Sequence, residues 1–218
     1  MSTSPAAAPD AVVDLVAMLA YTELVAFDRM AADARLAPDL HRRAALSEMA
    51  GLEIAHYGRL AARLAKLGVN AESAMAPYVA PVSAYHEQTE PNDWLEGLTK
   101  AYVGDGIADD FTREVAGVLP AGPDRDLVLE VLHDSRHGDY AAEEIRAAIA
   151  VDPRVANRLS MWARRLVGEG ISQAVRVAGE RPALASLLVS GPEPDLQGLL
   201  RRLTAAHTAR MAAVGLNN

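Results

Sequence analysis

Two short stretches of the sequence set a carboxylate and an imidazole three residues apart: Glu53-Ile54-Ala55-His56 and Asp134-Ser135-Arg136-His137. On a helix, residues at i and i+3 share a face, so each step offers an oxygen and a nitrogen donor to one metal ion. Two more acids, Glu23 and Asp105, precede these steps, and the set repeats. Glu53 to Asp134 and His56 to His137 are each 81 residues apart, and Glu23 to Asp105 is 82, as a diverged internal duplication would leave them. One Glu-x-x-His step means little in an Ala-rich helix; the repeated acid, acid and His set means more. An acid from each of two helices plus an i, i+3 acid–His pair from each of the other two is the carboxylate-bridged dinuclear arrangement.

The elements that would carry these residues are helical. Of 218 residues, 43 are Ala and only 5% are aromatic, a balance that favours close-packed helices over strands. Pro and Gly punctuate the chain and predict helices over 10–36, 39–67, 91–118 and 124–150. Residues 69–89 contain Pro77 and Pro81, lack helical periodicity and predict a long non-helical crossover. Long helix, short turn, long helix, long crossover, then the same again is the topology of a ferritin-like four-helix bundle. Residues 1–150 form that bundle. Residues 151–218 add helices over 153–180, 182–189 and 195–214, too short to bury a core alone and expected to pack on the bundle as one domain.

Each bundle helix shows an apolar stripe at spacings of three and four, broken by acid near its middle. The stripes read Val16, Leu19, Glu23, Ala26, Met30; then Leu46, Met49, Glu53, His56, Leu60. The third is Leu95, Leu98, Tyr102, Asp105, Asp109, Thr112, and the fourth is Leu127, Val131, Asp134, His137, Ala141. Four unpaired carboxylates in a helical core are prohibitively costly, so they must be protonated, paired with Arg or bound to cations. Two metal ions would offset four charges, with His56 and His137 as neutral nitrogen donors. The third helix leaves alternatives: heptad phase and the 82-residue register favour Asp105, whereas counting back from the turn near Ala121 puts Asp109 or Asp110 level with Asp134. Asp110 then becomes a supporting partner for Arg113 or Arg136.

In Tyr21-Thr22-Glu23, Glu53-Ile54-Ala55-His56, Tyr102-Val103-Gly104-Asp105-Gly106-Ile107-Ala108-Asp109-Asp110 and Asp134-Ser135-Arg136-His137 the chain resembles the ferritin-like di-iron proteins. Within them it is similar to the tRNA hydroxylases that act on 2-methylthio-isopentenyl-adenosine and their actinobacterial relatives. The resemblance covers about residues 10–150 and implies two iron ions, or other divalent metals. It makes Glu23 and Asp105 terminal ligands, Glu53 and Asp134 bridging ligands, and His56 and His137 nitrogen ligands. It also implies a dioxygen-dependent monooxygenase. The family has Glu where this chain has Asp105 and Asp134, so both carboxylates fall short unless the backbone moves inward. Gly104 and Gly106 would permit a local bulge there, at a cost of about 1 kcal/mol each relative to Ala.

The function expected is a non-haem di-iron oxidoreductase, a hydroxylase fed by an external electron donor, since no flavin or nicotinamide motif appears. The alternative is a ferritin-like protein without hydroxylation, either an iron-binding ferroxidase or an association protein with a decayed site. Zero Cys excludes disulfides and thiolate ligands, and no apolar run is long enough to span a membrane. The N-terminus has no secretory signal pattern, and a cytoplasmic location is expected. Residues 1–150 carry 12 Lys/Arg against 24 Asp/Glu (net −12), and 151–218 carry 9 Arg against 5 Asp/Glu (net +4). That basic segment either docks on the acidic bundle or meets an anionic partner. The substrate is accordingly either a small molecule entering between helices or an adenosine borne on tRNA; monomer and homodimer are both open. Tyr102 is expected to rest its hydroxyl on a carboxylate, and His41, His86, His133 and His207 to lie at the surface or at helix ends.

Overall fold

A computed structural model describes residues 9–132, 136–189 and 196–217, and every regular element among them is helical. Helix α1 (Pro9–Asp33) runs into a short 3-10 turn, Ala34–Leu36, and stops where Pro38 holds Ala37 extended. Helix α2 (Leu40–Lys66) is capped by Asp39, whose carboxylate accepts from the Arg42 amide at 2.8 Å. It ends at Gly68, whose φ of +76° is the left-handed conformation that closes a helix C-terminus. Further along come α4 (Trp94–Thr99), a π turn (Lys100–Asp105), α5 (Gly106–Val118), α6 (Pro123–Val131) and α7 (Arg136–Val151). The third bundle helix starts at Trp94 rather than near Pro91, because the Asp93 side chain caps the Glu96 amide at 2.9 Å.

The crossover corrects the expectation from sequence. Residues 69–89 are mostly helix, α3 (Ala71–Gln88), with Pro77 and Pro81 inside it. Neither proline can donate an amide hydrogen, so the helix loses two internal bonds. It survives because Asn70 caps the Ser73 amide at 2.9 Å and because Met75, Tyr78 and Pro81 bury one face. That face packs on α1 and on α8 (Arg154–Glu180). Burial against neighbours outweighs a propensity penalty that the sequence pattern registers as a break.

The core divides into two apolar clusters, one towards each end of the bundle. One joins Leu15, Val16, Leu19, Leu60, Leu64, Val115, Val128 and Val131; the other joins Met30, Leu46, Leu98, Val103, Ala141 and Ile145. On the first three bundle helices the residues between the clusters are those that bear the acids singled out above. The C-terminal helices complete both ends. Helix α8 adds Leu159, Trp162 and Leu166, and α10 (Leu196–Ala213) adds Met211 to the second cluster; α9 (Pro182–Val189) adds Leu184 and Leu187 to the first.

Ion pairs fasten this basic segment to the acidic one. Arg158 reaches both Asp93 and Glu96 at 2.8 Å, Arg202 reaches Glu114 at 2.7 Å, and Arg210 reaches Asp110 at 2.5 Å. Arg181 pairs with Asp14, a carboxylate only 3% exposed. No helix among the described residues is long and apolar enough to cross a membrane.

Arg181→Ala leaves the buried Asp14 charge unpaired and should cost about 2–3 kcal/mol, somewhat below a fully buried pair because Arg181 is itself partly exposed. Urea unfolding of Arg181→Ala and of the double variant Asp14→Ala/Arg181→Ala checks this. The double variant should recover part of the loss.

Candidate metal centre

Glu23 stands midway along α1, and Glu53 and His56 stand one turn apart midway along α2. Packing α1 on α2 brings the three together: each offers a ligand atom, and these atoms all lie within 4.8 Å of one another. His56 Nδ1 is 3.3 Å from Glu23 Oε2 and 3.9 Å from Glu53 Oε2. The first contact has ion-pair distance without hydrogen-bond alignment, so Glu23 Oε2 is buried with no hydrogen-bond partner. Burial pushes the Glu23 carboxyl up to about 9, with Glu53 adding to the rise and His56 opposing it. The His56 imidazole is pushed up to about 10 by its close polar contacts with the Glu23 and Glu53 carboxylates, against the effect of its own burial. Two carboxylate oxygens and an imidazole nitrogen converging on one buried point form a donor set suited to a divalent transition metal. The unpartnered Glu23 oxygen is where such an ion would be held.

Asp105 approaches from the third bundle helix as the last residue of the π turn. A π turn takes up one residue more than an α turn, and one residue is what separates the 82-residue offset from 81. The bulge expected from Gly104 and Gly106 is therefore present, and each glycine has a steric reason. A Cβ on Gly104 would sit 2.6 Å from the Tyr85 hydroxyl, and one on Gly106 would sit 2.7 Å from Arg210 Cζ. Asp105 is exposed by surface area, yet loss of hydration is the main reason its carboxyl stands well above the usual carboxylate range. The charges of Asp109 and Glu53 raise it further, and the Lys100 ammonium opposes them.

Asp105 is not among the three residues whose donor atoms lie within 4.8 Å, but it feels Glu53. So does Asp109, pushed up to about 6 chiefly by burial. Asp110 points elsewhere. It takes Arg113, as expected, at 3.2 Å and Arg210 at 2.5 Å; the Arg136 side chain lies outside the described residues. Asp134 lies outside the described residues, and of His137 only the backbone, in the first turn of α7, falls within them.

Other expectations need correction. The Tyr102 hydroxyl donates to the Arg210 carbonyl at 3.0 Å, not to a carboxylate. His86 does stand in the last turn of α3, a helix end, but it is half-buried: its Nδ1 is buried without a partner, and burial drives the imidazole down to about 3. His207 is buried as well, because α10 packs inward there, whereas His41 is exposed; His133 lies outside the described residues. Lys100 escaped notice in the sequence. It is 6% exposed, donates from Nζ to the Thr89 carbonyl at 2.8 Å, and lies 5.4 Å from the Tyr85 ring centre. Its only sequence signal was a lysine between the stripe residues Leu98 and Tyr102.

Both raised groups have one sign. Protonated Glu23 and protonated His56 stabilise the metal-free fold fully below their unfolded values of 4.5 and 6.5, and that stability is lost as pH rises through about 9 and about 10. Metal-free protein should therefore lose stability between pH 4.5 and 10, most steeply from about 6.5 to 9, where both groups contribute. Binding of Co(II) should release protons and tighten over the same range. Calorimetry in buffers of different ionisation enthalpy checks the release; pH-independent binding would contradict it. Glu23→Gln should flatten the stability profile and weaken Co(II) binding at least about tenfold.

A family model described as a ferritin-like domain of actinomycetes matches residues 7–191. Among curated proteins, none matches the chain. With an all-helical bundle and a Glu–Glu–His group at its middle, the chain belongs to the ferritin-like domain family of actinomycetes.

Proposed function

We propose that this protein is a non-haem di-iron oxidoreductase that hydroxylates a small apolar or amphipathic substrate. The observation that carries this is the buried Glu23 oxygen without a partner beside Glu53 and His56. In that reading Glu23, Glu53 and His56 hold one half of the metal pair. Asp105, Asp134 and His137, their counterparts in the sequence repeat, supply the other half. Bound iron would contribute the redox chemistry that activates dioxygen for insertion into an unactivated carbon–hydrogen bond.

The chain's own residues do the rest. The two apolar clusters exclude water above and below the acids. The Asp109 carboxyl, pushed up to about 6, can hold or give up a proton near neutral pH. Electrons come from a separate donor. Of the nine arginines in residues 151–218, four already face a carboxylate of residues 1–150: Arg158 and Arg202, both among those that RNA would require, and Arg181 and Arg210. That favours a small substrate over a tRNA-borne adenosine.

Anaerobic reconstitution with ferrous iron should give about two ions per chain, falling towards one in His56→Ala and in His137→Ala with the bundle still folded. Admission of dioxygen should then change the optical spectrum. Iron content near zero would overturn the proposal. Total tRNA should cause no gel retardation at low salt; a shift abolished by Arg164→Glu/Arg165→Glu would restore RNA as the substrate class.

A further inference from the structure

The π turn that carries Asp105 is gripped by a helix that lies beyond the family match. Residues 7–191 are matched, and α10 begins at Leu196. On one side of Asp105, the Tyr102 hydroxyl donates to the Arg210 carbonyl at 3.0 Å. On the other side, the Arg210 guanidinium donates from one nitrogen to the Gly106 carbonyl at 3.0 Å and to Asp110 at 2.5 Å. The same side chain fills the space that a Cβ on Gly106 would need. Backbone and side chain of one residue thus bracket the three residues 103–105. Arg210 is itself fixed, because its neighbour Met211 is fully buried and Val214 and Leu216 are nearly so.

A π turn needs such support, since its hydrogen bonds are poorer than those of the α-helix to which it would otherwise revert. Reversion would turn the following residues by roughly 100° about the helix axis. It would swing Asp105 away from Glu53. We infer that Arg210 is a positioning residue: it holds the π turn in place and so sets where the Asp105 carboxylate stands. Its relevance to metal rests on the proposed function above, whereas the clamp on the backbone does not.

Two measurements separate these. In metal-free protein, hydrogen exchange should show at least tenfold faster exchange over residues 100–106 in Arg210→Ala, with α2 unchanged. Gly106→Ala should do the same, because its Cβ evicts the guanidinium, and it removes no charge. Added to Arg210→Ala, Gly106→Ala should bring no further acceleration. In the same variants Co(II) should bind at least tenfold more weakly, with an altered visible spectrum, while Arg202→Ala, which loses a pair from the same helix, leaves both readouts as in the parent. Unchanged exchange over 100–106 in Gly106→Ala and Arg210→Ala would overturn the inference, and so would an unchanged Co(II) spectrum in a parent that binds Co(II). Should the parent bind no Co(II) while exchange over 100–106 still accelerates, the clamp stands and it is the metal reading that falls.

Discussion

Dehydrating a carboxylate in the middle of a helical bundle is the constraint on which the rest of this structure turns. Glu23 and Asp105 both sit where burial raises the carboxyl, and Glu53 lies beside them at 8% exposure. Leaving such groups ionised and unpaired costs several kcal/mol each. A bundle optimised only for stability would place Leu or Ala there, as it does in the clusters above and below. The protons on Glu23 and His56 offset the charge in the metal-free state, and a cation that displaces them would do so at higher pH. The polar midsection is tolerable because Leu60, Leu64 and Val115 on one side and Leu46, Leu98 and Ile145 on the other bury enough apolar surface to hold the helices together without it.

The same demand explains the irregular third helix. An Asp is one methylene shorter than a Glu, so its backbone must come closer to the bundle axis to reach the same point. Glycines at 104 and 106 allow that approach. The Tyr85 hydroxyl and the Arg210 guanidinium then occupy the volumes that side chains there would have filled. Lys100, at the start of the π turn, places a buried ammonium where it lowers Asp105 and Asp33, and burial in turn brings its own value down to about 8.

Charge is partitioned along the chain and then cancelled in space. The acidic bundle and the Arg-bearing tail meet at Asp14, Asp93, Glu96, Asp110 and Glu114. Exposed pairs of this kind contribute little individually. Their greater effect is on register: α8 and α10 dock where their arginines find carboxylates, and that docking brings Arg210 to the π turn.

Helix content, the main bundle helices to within a few residues, and the meeting of Glu23 with Glu53 and His56 were legible in the sequence. They depend on periodicities of three and four, on Asp39, Asp93 and Gly68 as caps, and on an acid–His step, all local properties. What the sequence could not reveal was decided by contacts between distant residues. Helix α3 forms across two prolines because α1 and α8 cover one of its faces. Tyr102 takes Arg210, 108 residues away, in place of a carboxylate, and Asp110 adds Arg210, 100 residues away, to its near neighbour Arg113. His207 and the Nδ1 of His86 are buried by neighbours, not by their own helical phase. Local pattern fixes which residues can share a face; only the packed bundle decides which faces meet, and therefore which charges must be neutralised.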